Sequence, residues 1–318
     1  MKKDVSIILP SIRPHFLETF CASVQSACKK HSWEIVIPTP FDVPEDVKRM
    51  PNIKVIKTHA APTVAKQLAI QLCNGEFLYN ITDDGFLLED VIDEAIELHR
   101  KTMGPKDVIN MVYVEGKHVL DMNTLNPIEV NPVPYNSELW RAGFWPDLQQ
   151  PGIKPEWRIS LHFFMKLDYF LELGGFDCRW EYSNHAIHDM IFRVQADGGK
   201  VTDFEKVAAV FTHYSGHLVD HGPVHDATLG VDTILFNQIY QDPAAATKRK
   251  TLNYSNWKNQ PDVWDRRFFK YPIPITGKEY ETYKIRTELT PDMAPMPGTP
   301  EYLRWYKNLE IAVGNLNT

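Results

Sequence analysis

The ten residues EFLYNITDDG, 76–85, decide how the chain is read. A strand over 76–81 leads straight into Thr82-Asp83-Asp84-Gly85, a polar turn that stops it. The flanks repeat the pattern. Residues 5–10 (VSIILP) form a short apolar run ended by Pro10 and a loop from Ser11 to Pro14. Phe16, Phe20, Val24 and Ala27 then recur at helical spacing. Residues 33–37 read as a second strand stopped by Pro38 and Pro40, and 53–56 as a third. Pro62-Thr63 opens a short helix over 64–72. Downstream, 89–100 is amphipathic at helical period. Strands alternating with helices of this length predict an α/β fold: a mixed, mainly parallel, Rossmann-like sheet with helices on both faces.

Beyond residue 100 the rhythm loosens. Residues 108–115 and 117–120 read as a hairpin about Gly116. The stretch 122–157 is rich in Pro, Asn and Trp without a period, an excursion of the length that usually serves function. An apolar segment at 159–167 runs into a short helix to about Leu173, then Gly174-Gly175-Phe176-Asp177. A helix is expected over 187–196, then a pair of strands near 200–201 and 207–213. No internal repeat is present. From about 231 the chain turns basic, aromatic and proline-punctuated, which places a boundary near 230 and a C-terminal extension over 231–318.

Composition narrows the classes of function. With 43% hydrophobic and 12% aromatic residues, the chain can bury a core, which excludes disorder. Its apolar runs are about half a dozen residues long, far short of the roughly 20 that span a bilayer. Asp4 and the short run after the basic start leave no signal-peptide core. Cys21, Cys28, Cys73 and Cys178 make no CxxC pair, so reduced thiols in a cytoplasmic protein are expected. The net charge of −7 argues against a protein that coats nucleic acid all over. Its distribution is uneven: residues 248–286 hold ten Lys and Arg against four Asp and Glu. That segment is either a face for an anionic partner or a solvated surface.

In a parallel α/β sheet, ligands bind beyond the carboxyl ends of the strands. Asp83 and Asp84 stand at such an end. Adjacent carboxylates repel, and a divalent cation bridging hard oxygens, Mn²⁺ or Mg²⁺, relieves them while leaving positions open for substrate phosphates. The plainer alternative is a turn capping the next helix. Further along, His188-Asp189 opens the helix expected at 187, just downstream of Gly174-Gly175-Phe176-Asp177.

Taken in order, these pieces resemble the inverting, family-2-type glycosyltransferases of the GT-A fold, over roughly residues 5–213. VSIILPSIR (5–13) resembles the first strand and its nucleotide-facing loop. AKQLAI (65–70) resembles the segment where a basic residue and an amide precede a small one. EFLYNITDDG resembles the strand entering the metal-binding Asp-x-Asp. Residues 174–177, then His188-Asp189, Phe192-Arg193 and Gly198-Gly199-Lys200, resemble the acceptor loop, the Glu-Asp base motif and its helix.

The resemblance implies a GT-A-like catalytic domain over 1–230, with a nucleotide-sugar half at about 1–120 and an acceptor half at about 121–230. It implies that Asp84 binds the metal with His213 as a third, weaker contact. Thr82 or Asp83 would touch the donor ribose or the metal shell. Ser11, Arg13, Asp42 and Lys66 would line the nucleotide, and Asp189 would be the general base. The chain departs from the family at three places: Thr82 replaces the first Asp of Asp-x-Asp, Ile37 leads into Pro38-Thr39-Pro40 without the usual acidic pair, and His188 stands for Glu.

The chemistry suits these residue types. Negative charge grows on the departing diphosphate, where a divalent ion acts as a Lewis acid. The acceptor hydroxyl needs a base within hydrogen-bond reach. One carboxylate in that role, with no protein nucleophile, predicts inversion. The expected activity is transfer from a nucleotide-diphosphate sugar, UDP-sugar favoured, to an acceptor hydroxyl. The basic segment interleaves Tyr254, Trp257, Trp264, Phe268, Phe269, Tyr271, Tyr280 and Tyr283 with its cations, a mixture suited to an anionic polymer such as hydroxymethylated-base DNA or an acidic glycan. Trp157, Trp180 and His188 are candidate acceptor contacts, each equally readable as core. His213, His217, His221 and His225 recur every fourth residue, but Gly216, Gly222 and Pro223 argue against a zinc-holding helix and for a loop closing over the donor. Two alternatives stand beside transfer: a sugar nucleotidyltransferase, for which 10–14 lacks the glycines of a phosphate loop, and a binding module that keeps the fold without the chemistry.

Overall fold

A computed structural model describes residues 2–11, 14–39, 41–58, 62–116, 135–138, 149–180, 183–212 and 232–252. The first half runs β1 (Lys3–Ile8), α1 (Leu17–Ala27), β2 (Trp33–Thr39), α2 (Glu45–Lys48), β3 (Ile53–Lys57), α3 (Pro62–Ile70), β4 (Gly75–Asn80), β5 (Gly85–Leu87), α4 (Val91–Thr102), β6 (Val108–Asn110) and β7 (Tyr113–Gly116). The second half adds β8 (Phe163–Lys166), α5 (Leu167–Glu172), α6 (Ser183–Ala196), β9 (Val201–Asp203), β10 (Ala209–Thr212), α7 (Thr233–Tyr240) and α8 (Pro243–Lys248).

Seven strands form one sheet in the order β3-β2-β1-β4-β8-β6-β9. All pairings are parallel except those of β8, which runs antiparallel to β4 and to β6. Val5, Ser6, Ile7 and Ile8 are buried in succession, as are Phe77, Leu78, Tyr79 and Asn80. Burial without alternation means that both faces are covered. On α1, Leu17, Phe20, Cys21, Val24 and Ala27 make the apolar stripe. That helix packs on α4 and β5, whereas α3 lies against β1, β2 and α6. This is the mixed, mainly parallel α/β architecture that the alternating pattern predicts.

A second sheet of three strands, β5-β10-β7, was not foreseen. It dissolves two expected pairings. Residues 108–115 do not form one arm of a hairpin, because β6 belongs to the large sheet and β7 pairs in parallel with β10. The other arm, 117–120, lies outside the described residues. Likewise the strands near 201 and 209 do not pair with each other: β9 joins β6, and β10 joins β5 and β7. Two boundaries also differ. Pro38 lies within β2; its carbonyl accepts from Ser11 N at 3.0 Å, so this residue faces the end of β1 and its missing N–H costs β3 nothing. Helix α4 begins at Val91, since Asp90 takes a left-handed φ of 61°.

The described part of the extension, 232–252, shares the core: Phe236, Tyr240 and Ala246 are buried in the same apolar cluster as the sheet. Among the described residues, no helix is long and apolar enough to cross a membrane.

Candidate functional site

The chain leaves β1 for β2 and β3 on one side, then returns through α3 to place β4 on the other side of β1. Strand order therefore reverses between β1 and β4, and a crevice beyond their carboxyl ends follows from that topology. Ser11 emerges from β1 and Asp83 from β4. Ser11 Oγ donates to Asp83 Oδ2 at 2.7 Å, a buried bond that ties the two strand ends together. Asp83 is almost fully buried, while Thr82 and Asp84 on either side are half-buried. Beneath them, Lys66 of α3 reaches the last residue of β4: its Nζ donates to Asn80 Oδ1 at 2.9 Å. Burial drives the Lys66 ammonium down to about 7, where its hydrogen bond is to a neutral amide. An arriving anion would strengthen its charged form.

His162 completes the floor and was missed in the sequence. Its Nε2 lies 3.4 Å from Thr82 Oγ1. Tyr113 and Phe211 enclose the imidazole, with ring centroids 4.6 and 4.4 Å away, and Tyr135 stacks on Tyr113 at 5.1 Å. That enclosure pushes the imidazole down to about 3 by burial, against the pull of Asp84 and with the help of Lys66. The ring is neutral at physiological pH. The only available signal was a histidine inside the apolar run 159–167, a position that reads as plain core.

On the far side, Asp189 sits in the second turn of α6, because the helix begins at Ser183 rather than at 187. The carboxylate is fully buried. Its Oδ1 accepts from Tyr240 at 2.8 Å and from Arg249 Nε at 2.6 Å, and its Oδ2 from Arg193 Nε at 2.8 Å. Burial alone would raise its pKa, but Arg249 and Arg193 hold it below the usual carboxylate range. In this arrangement Asp189 is a held anion with both oxygens occupied.

Asp177 is also fully buried and is gripped by Arg179 and Arg249. The loop before it needs its glycines. Gly174 (φ 88°) and Gly175 (φ 72°) are left-handed, and a Cβ on either would fall onto the Leu252 carbonyl or the Gln67 amide.

The remaining candidates scatter. Trp157 is buried and stacks on Phe192 at 5.6 Å, and Trp180 is fully buried with its Nε1 donating to the Asp232 carbonyl at 3.3 Å. His188 is buried against Phe236, 6.5 Å between centroids. These three are placed as core. Asp42, beyond β2, is exposed and pairs with Lys57 at 2.9 Å. Arg13, His213, His217, His221 and His225 lie outside the described residues, as do the aromatics from Tyr254 onward. All four cysteines are free thiols.

For a divalent cation, the strand end supplies Asp83, Asp84 and the Ser11 hydroxyl, an all-oxygen set that suits Mn²⁺ or Mg²⁺ sharing its shell with phosphate oxygens. Among the described residues, no three His, Cys, Asp or Glu side chains are grouped as a protein-only metal cage would require. An ion here would be held by two carboxylates and its substrate.

No family model matches the chain, and no curated protein matches it. Among solved structures, the chain is similar to TarS residues 1–349 from S. aureus, crystallised in complex with UDP: identity is 11%, the TM-score 0.46, and the match covers 99% of this chain and 92% of that one. At that identity and score the likeness carries no argument about chemistry.

Proposed function

We propose that this chain transfers a sugar from a nucleotide-diphosphate donor, a UDP-sugar first, to an acceptor hydroxyl. The observation that carries the reading is the buried Ser11–Asp83 hydrogen bond, which joins the carboxyl ends of β1 and β4 where the strand order reverses. The order of motifs along the chain supports the same reading.

In this proposal the nucleotide lies over the ends of β1 and β4, against Ser11. Asp84, with Asp83 beside it, would hold Mn²⁺ or Mg²⁺, which when bound neutralises charge on the diphosphate. Lys66 lies behind the same strand end as a second positive charge once an anion arrives. His162, neutral and packed between rings, fixes Thr82 and keeps the turn 82–84 in place. Transfer breaks the bond from the anomeric carbon to the diphosphate oxygen and forms one to the acceptor oxygen. The acceptor proton leaves to a base, and the diphosphate carries away the electron pair. The basic segment 248–286 favours an anionic acceptor. A binding module without turnover is the second reading, and the enclosure of Asp189 favours it.

A thermal-shift panel of UDP, GDP, CDP and dTDP, each with and without Mn²⁺, tests the proposal. Stabilisation by one nucleotide that depends on the metal is expected. No shift with any of them sinks both readings; a shift without release of UDP from UDP-sugars leaves the binding module.

A further inference from the structure

We propose that Arg249 is a positioning residue of the acceptor side, locking the loop at 174–177 onto α6 by gripping Asp177 and Asp189 at once. What that loop serves rests on the glycosyl-transfer reading; the lock itself does not.

Arg249 follows α8 and is mostly covered. Its Nε donates to Asp189 Oδ1 and its Nη2 to Asp177 Oδ2, both at 2.6 Å. The two carboxylates belong to different pieces of chain, one to the loop and one to the second turn of α6. A planar guanidinium fork can serve both in fixed directions; a lysine is a point charge and cannot. Other bonds hold the loop as well. Leu252 N donates to the Leu173 carbonyl at 2.9 Å, and Arg193 Nη1 to the same carbonyl at 2.6 Å. Arg193 also bonds the Gly175 carbonyl, and Phe176 N donates to Gln67 Oε1 at 2.9 Å. The loop is thus pinned by α3 on one side, α6 on another, and residues 249–252 across the gap. Among the described residues, Arg249 alone bonds both the loop and α6 through a side chain from outside the two.

The neighbouring charges make the lock separable from the fold. Arg179 still pairs with Asp177, and Arg193 and Tyr240 with Asp189, when Arg249 is replaced. Neither carboxylate is left bare, so the full chain carrying Arg249→Lys is expected to fold.

The test compares full-length wild type, Arg249→Lys and Asp177→Asn, the last keeping the question open should the lysine variant not fold. Amide exchange at 175–179 should quicken at least about tenfold in both variants, with exchange in β1 and β4 unchanged. Turnover of UDP-glucose and UDP-N-acetylglucosamine, followed by UDP release with water as acceptor, should keep the wild-type KM while kcat falls about tenfold or more. Unchanged exchange at 175–179 overturns the lock. A KM that rises as kcat falls overturns the assignment to the acceptor side. If wild type turns over neither sugar, the transfer reading falls, and the exchange result alone decides the lock.

Discussion

Two buried titratable groups are treated in opposite ways. Asp189 keeps its charge because two guanidiniums and a phenol surround it. Replacing it with Asn removes the anion that Arg193 and Arg249 share in the interior, so the variant should lose about 3 kcal/mol and melt at a clearly lower temperature by calorimetry. A residue acting only as a base would lose transfer at an unchanged melting temperature. His162 instead surrenders its charge. Its ordinary pKa of 6.5 falls to about 3 in the folded chain, so between those values the unfolded state binds the extra proton. Stability attached to His162 is therefore fully present above pH 6.5 and is lost as pH falls toward 3, by up to about 1.4 kcal/mol per pH unit. Denaturant melts of His162→Gln should show a flatter decline across that window; a decline parallel to wild type would remove this account of the imidazole. Asp83 and Asp84 were legible because acids at a strand end are conspicuous. His162 was not, since nothing in an apolar run announces which ring will meet the turn opposite.

At the level of elements, periodicity carried the first hundred residues well. The stripe on α1 and the unbroken runs of β1 and β4 give the same answer in sequence and structure. What failed was partnership. Residues 108–110 and 113–116 are both short, and no local pattern says that they enter different sheets. Helix α6 starts a turn earlier than its apolar residues suggest, which moves Asp189 from a helix start into the second turn. The composition change near 230 suggested an extension, yet Phe236 and Tyr240 pack into the shared core and Arg249 closes on Asp177 and Asp189. A chain ended after residue 230 should accordingly be much less stable than one ended after 252. Equal melting temperatures for the two would show that 232–252 contributes nothing to the core.

For the molecule as a whole, the site follows from topology before it follows from any residue. A mainly parallel sheet whose strand order reverses between β1 and β4 has one natural place for a ligand, and the chain puts a hydroxyl, two carboxylates and a buried lysine there. The strand-end position of Ser11, Asp83 and Asp84 was readable for that reason. Trp157, Trp180 and His188, the acceptor candidates, are packed inside, where aromatic residues look the same in sequence as those that face a ligand. The central claim is that the strand end holds a nucleotide diphosphate through a divalent ion on Asp84. Calorimetric titration of UDP in the presence of Mn²⁺, into wild type and into Asp84→Asn, tests it most directly. The account predicts binding to wild type that weakens at least about tenfold, or about 1.4 kcal/mol, in the variant at an unchanged melting temperature. Equal affinity in the two proteins would contradict it.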